Sequence, residues 1–99
     1  MIDINPKTKK TTFSLDLLEA KKVFLVGDFN KWDHKKNPMK KIKDVWKLSL
    51  ALKPGEYKFK YLVDDKWLND PVAHKYVPSP YGGNDSIVVV PADFIYKKK

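Results

Sequence analysis

The 99 residues predict an all-β sandwich of about seven strands, on three observations. Apolar side chains alternate with a period of two through several short runs. Seven prolines and four glycines punctuate those runs, at the spacing of sandwich strands. No stretch reads as part of a helical domain.

The elements follow in order. Residues 12–17 ("TFSLDL") form a strand that buries Phe13, Leu15 and Leu17. Residues 22–26 ("KVFLV") are apolar at consecutive positions and are expected to be a central strand, covered on both faces. Residues 39–42 suit a short edge strand. Residues 45–52, 57–63, 66–68 and 86–90 complete the set, and residues 94–96 could add a last one. The core is expected over 11–91 of a single domain, 1–99, with 1–10 and 92–99 as mobile or loosely docked tails. There is no internal repeat.

Two connections can be tested for register. "KPGE" places Pro54 and Gly55 where a tight turn wants them. If Leu52 pairs with Tyr57, then Leu50 meets Phe59, Leu48 meets Tyr61 and Trp46 meets Val63. Trp46, Leu48, Leu50 and Leu52 then share one face with Tyr57, Phe59, Tyr61 and Val63, while Lys47, Ser49, Ala51, Lys58, Lys60 and Leu62 share the other, so a one-residue slip would bury lysines. Trp46 is therefore a core residue. At Asp64-Asp65 a two-residue turn sets Val63 against Lys66, Leu62 against Trp67 and Tyr61 against Leu68. Leu68 joins the core face with Tyr61, while Trp67 falls on the outward, lysine-bearing face, diagonal to Lys60.

Composition narrows the function classes. A hydrophobic content of 42% suffices for one core, and the absence of cysteine excludes disulfides and thiolate metal sites. The opening "MIDINPKTKK" has no apolar run of signal-peptide length. No later segment approaches the ~20 apolar residues of a membrane span. A cytoplasmic location with no membrane partner is the expectation. The net charge is +8 and all 20 basic residues are lysine. Their spread along the chain and the lack of arginine, the bidentate partner of phosphate and guanine, argue against nucleic acid.

Catalysis finds no support. His34 and His74 lie 40 positions apart on expected loops, without metal-ligand spacing. "YGGN" is a turn signal and no phosphate cradle. Asp28, Asp33, Asp64, Asp65 and Asp70 all read as turn residues, not as the cleft-flanking pair of a glycosidase. No catalytic residue, metal or cofactor is expected.

What remains is a puzzle in "VFLVGDFNKWD". Trp32, a large apolar side chain, stands among Gly27, Asp28, Asn30, Lys31 and Asp33, in turn and surface company. With Trp67 it makes two indoles on exposed polar ground, and an exposed aromatic patch suggests a ligand. A sugar ring fits. Its C–H face stacks on an aromatic plane, while its rim hydroxyls bond to lysine and to asparagine amides.

The runs "VFLVGDFNKWD", "VWKLSLALKPGEYKFKYLVDDKWLNDP" and "YGGNDSIVVV" together resemble carbohydrate-binding module family 48, of the kinase β-subunit and isoamylase N-terminal type. The likeness runs from about residue 22 to residue 90. It implies an early-set immunoglobulin-like β-sandwich that binds α-1,4-glucans such as glycogen, starch and maltooligosaccharides. It further implies stacking roles for Trp32 and Trp67 and hydrogen-bonding roles for Lys60, seven residues before Trp67, and for Asn84. Asn30 would shape the first loop. The sequence departs from the kinase-type pattern where that pattern has a leucine and a threonine; ungapped spacing puts Pro80 and Gly82 there, and Tyr81 could supply a replacement surface. Some members of the family only pack against an enzyme. The alternative reading is therefore a protein–protein interaction domain, docking on a separate glycan-active or kinase-type chain. A single-strand nucleic-acid binder is a third, marked by a steep loss of affinity with salt.

Overall fold

The computed structural model describes residues 1–16, 19–80 and 82–91. Nine strands lie among them: β1 (Ile2–Asn5), β2 (Lys10–Leu15), β3 (Val23–Gly27), β4 (Lys40–Ile42), β5 (Val45–Leu50), β6 (Gly55–Val63), β7 (Lys66–Leu68), β8 (Lys75–Pro78) and β9 (Asn84–Val90). They build two antiparallel sheets, β1-β2-β5-β4 and β3-β6-β9-β8, with β7 added to β6. Period-two alternation turns one face of each sheet inward. Phe13, Leu15 and Trp46 from the first sheet meet Val23, Leu25, Phe59, Tyr61, Val88 and Val90 from the second. Phe13 and Phe59 touch edge to face at 5.1 Å and join the layers. The expected immunoglobulin-like sandwich is the observed architecture.

The Asp64-Asp65 hairpin has the register read from sequence: Tyr61↔Leu68, Leu62↔Trp67 and Val63↔Lys66. Both turn residues have positive φ, 46° and 70°, the left-handed pair that fits the twist of a two-residue hairpin.

Several expectations are corrected. β5 does not pair with β6; it lies between β2 and β4, with Leu48 opposite Phe13 and Trp46 opposite Leu15 on β2. The alternation fixed which side chains face inward, and Trp46, Phe59 and Tyr61 are buried as read. Two strands with the same inward pattern can, however, lie in opposite sheets, and residues 51–54 cross between them. β3 is not central. β6 covers one of its edges, and the chain at 37–39 covers the other: Leu25 N–H donates to the Asn37 carbonyl at 2.9 Å and Met39 N–H to that of Val23 at 2.8 Å.

The N-terminal segment expected as a tail forms β1, where Ile2 and Ile4 pack against the core. β8 is a further strand that its short run, ending in proline, concealed. Leu68, expected in the core, is 40% exposed because β7 is three residues long and lies at the sheet margin. Asp70, expected in a turn, is 1% exposed. It accepts the Tyr61 hydroxyl at 2.6 Å, the Val72 N–H at 2.8 Å and the Met1 ammonium. Burial, and then the hydrogen bond and charge of Asp70, push the Tyr61 phenol far above the ordinary tyrosine range. The last strand expected at 94–96, the 92–99 tail and Leu17 lie outside the described residues.

Candidate functional site

The first wall of the site begins at Gly27. A Cβ there would overlap the Lys58 carbonyl and the Phe59 side chain, so only glycine lets β3 close onto β6 at this point. A 3-10 turn, Asp28–Asn30, follows. Phe29 turns inward, its ring 5.7 Å from that of Phe13 and 6.0 Å from that of Tyr57. Asn30 is buried beneath the loop. Its Oδ1 accepts the Gly27 N–H at 3.1 Å, and its Nδ2 donates to the Leu25 carbonyl at 2.9 Å and to Asn37 Oδ1 at 2.6 Å. Lys31 and Trp32 both adopt left-handed φ of 57°, and Trp32 N–H returns to the Gly27 carbonyl at 2.9 Å. With Phe29 and Asn30 committed inward, the backbone reversal leaves the Trp32 indole outside the core.

Asp28 then fixes that indole. One carboxylate oxygen accepts Trp32 Nε1–H at 2.9 Å and the other accepts the Lys58 N–H of β6 at 2.9 Å. Read from sequence, Asp28 was one turn residue among several. Its function as a clamp depends on β6 lying beside the loop, which no local signal states.

The second wall is the β6–β7 hairpin. β3 takes one edge of β6; along the other edge β9 pairs up to Phe59↔Ser86, and β7 takes over from Tyr61↔Leu68. Lys60 stands at that junction, on the outward face with Trp67. The "NDP" segment secures it. Asn69 Nδ2 donates to the Asn84 carbonyl at 2.8 Å, Ser86 Oγ donates to Asn69 Oδ1 at 2.9 Å, and Asp70 N–H donates to Ser86 Oγ at 2.9 Å. Trp67 is 45% exposed, and its ring meets His34 edge-on at 5.1 Å.

Trp32, Lys60 and Trp67 line one open groove of about 740 Å³, together with Asp28, His34, Lys58, Ser79, Pro80, Gly82 and Asp85. Both departures from the kinase-type pattern, Pro80 and Gly82, are in its lining. Tyr81 lies outside the described residues. Asn30 is not at the surface; it is a positioning residue under Trp32. Asn84 is exposed but not in the groove lining. In β9, Ser86, Val88 and Val90 face inward, so Asn84 shares their parity and Asp85 takes the groove side. His34, Lys58, Ser79 and Asp85 are lining residues that sequence reasoning missed. Strand parity was the signal available for Asp85.

The groove carries two lysines and two aspartates, which balance although the chain is strongly basic. Among the described residues, no cluster of three or more His, Cys, Asp or Glu could hold a metal ion.

A β-sandwich that presents two tryptophans and a lysine in one shallow groove has the form of a carbohydrate-recognition module. The family model described as the glycogen recognition site of AMP-activated protein kinase matches residues 10–94, and the chain belongs to that family. It is therefore a non-catalytic module of a carbohydrate-binding family. Protein PTST homolog 2, chloroplastic, of Arabidopsis thaliana is 35% identical over 69 residues, which is 70% of this chain and 13% of that protein. The β-1 subunit of 5'-AMP-activated protein kinase of Sus scrofa is 36% identical over 71 residues, 72% of this chain and 56% of the relative. The human β-2 subunit is 37% identical over 76 residues, 76% of this chain and 27% of the subunit. The chain spans less than two thirds of each of these relatives.

Proposed function

We propose that the protein binds α-1,4-glucan, as glycogen, starch or a maltooligosaccharide, in the groove between the Trp32 loop and the β6–β7 hairpin. Sugar rings stack on the two indoles, and Lys60 donates to hydroxyls. The observation that carries this reading is that both tryptophans and Lys60 line one open groove. The balanced charge of that groove favours a neutral ligand over a polyanion. The family's description and its kinase-subunit relatives support the choice of glucan. Asn84, on the inward parity of β9, is given no stacking or hydroxyl role in this reading.

Two indoles form a small interface, so a Kd between micromolar and millimolar is expected, about −4 to −8 kcal/mol. Calorimetric titration with maltoheptaose at low and at high salt checks it. Heat of binding with nearly the same Kd at both concentrations is the expected result. No heat at either sinks the glucan reading, and a steep fall with salt transfers the groove to a polyanionic ligand.

A second reading has its own observation. Leu68, Val72 and Tyr76 are exposed on and after β7, and two of the relatives are kinase subunits. Docking of this margin on a separate glycan-active or kinase-type chain would use a surface other than the groove.

A further inference from the structure

We infer that Asp85 binds ligand directly: its carboxylate is the hydroxyl acceptor of the groove, paired with Lys60 as donor, and it confines that position to uncharged sugar units. The inference rests on the glucan reading and adds to it a residue and a selectivity.

Asp85 is 6% exposed, and what remains open belongs to the groove. Among the described residues no side chain or backbone N–H donates to its carboxylate, and no cation pairs with it at ion-pair distance. Among the described residues no buried side-chain oxygen lacks a partner, so its unbonded oxygens reach the water of the groove and are open to a donor from outside. Its place in β9 gives it no core-packing task, since the inward positions are held by Ser86, Val88 and Val90.

Register supplies the partner. Lys58 lies opposite Ile87 and Phe59 opposite Ser86, which brings Asp85 to the level of Lys60 on the same outward face. The Lys60 ammonium likewise has no acceptor among the described residues. An ammonium only donates and a carboxylate only accepts. Vicinal hydroxyls of a pyranose can accept from one and donate to the other, which satisfies both groups at once. A phosphate ester at that position would bring negative charge against Asp85 and could not supply the missing donor.

The test uses the whole chain and two probes, maltoheptaose and a phosphorylated maltoheptaose. Asp85→Ala is expected to weaken maltoheptaose about ten-fold, the scale of one hydrogen bond to a charged group. Its melting temperature should stay close to that of the native chain. Asp85→Asn, which keeps the shape and removes the charge, should lose less than Asp85→Ala and bind the phosphorylated probe more tightly than the native chain does.

The assignment is overturned if Asp85→Ala and Asp85→Asn both bind maltoheptaose like the native chain while Trp67→Ala does not. It is also overturned if either Asp85 variant melts lower with binding intact, which marks a structural residue. Failure of the native chain itself to bind maltoheptaose is a different outcome: it removes the glucan reading, and this assignment falls with it.

Discussion

The loop that carries Trp32 and the hairpin that carries Trp67 present their indoles to one groove but hold them by different means. Around Trp32 everything is committed. Phe29 is in the core, Asn30 is buried with three hydrogen bonds, and the indole N–H is already bonded to Asp28. Trp67 sits on a three-residue strand, anchored through its backbone to β6 and through Asn69 and Asp70 to β9. Its ring is more open and touches only His34 among the aromatic contacts. Among the described residues no acceptor takes its Nε1–H. One wall is thus fixed before ligand arrives, which lowers the entropy cost of binding. The other keeps its ring and N–H free for the ligand. Rigidity and availability are divided between the two indoles.

The largest expected effect breaks the fixed wall from beneath. Asn30→Ala leaves the Gly27 N–H and the Leu25 carbonyl without their partners, and each buried orphan costs about 1–3 kcal/mol. The variant should lose about 3 kcal/mol of stability in urea denaturation and should bind maltoheptaose worse even where it is fully folded. Undiminished binding by the folded variant would mean that Trp32 needs no support.

Trp67→Ala comes next and should behave oppositely. Losing an exposed anchor is expected to cost about 2 kcal/mol of binding while stability changes by no more than about 0.5 kcal/mol. Calorimetry and thermal melting on one sample separate the two. If Trp67→Ala and Asn30→Ala lose stability alike, the division between the walls is wrong.

The smallest effect on the groove is expected from Tyr61→Phe, one residue from Lys60 on the opposite face of β6. The phenol is held protonated in the fold, so the stability it contributes is complete below the ordinary tyrosine value of about 10. It is lost as pH rises beyond that value, because the unfolded chain deprotonates first. The native chain should lose about 1.4 kcal/mol per pH unit more than Tyr61→Phe above pH ~10. At neutral pH the variant should be less stable, since Asp70 loses a donor, with the Kd for maltoheptaose unchanged. Parallel denaturation curves at pH 7 to 11 read both.

How much of this was legible depended on how far each feature reaches along the chain. The inward faces of β5 and β6, the Asp64-Asp65 register and the outward Trp67 follow from local periodicity and turn chemistry, which act over a few residues. That Trp32 stands outside the core could be read from its company alone, although the structure leaves it half-buried and not fully exposed. The assignment of β5 to β2 could not, because "KPGE" is equally compatible with a hairpin and with a crossing between sheets. β1 had a usable signal in the alternation of Ile2 and Ile4 before Asn5, whose side chain accepts the Lys7 and Thr8 N–H groups and turns the chain back. Asp28 and Asp70 look like any turn aspartate in sequence; their roles come from Lys58, Trp32 and Tyr61, brought to them by tertiary pairing. Parity in β9 distinguishes Asp85 from Asn84, and the family likeness pointed to the other member of that pair.

The central claim is that Trp32 and Trp67, and not Trp46, form a single sugar-binding surface. The three indole N–H signals in a nitrogen–proton correlation spectrum test it most directly, followed through a maltoheptaose titration. The account predicts saturable shifts of the Trp32 and Trp67 signals with one common Kd, and a stationary signal from buried Trp46. A titration in which ligand binds while either groove indole stays still, or in which Trp46 alone moves, would contradict it.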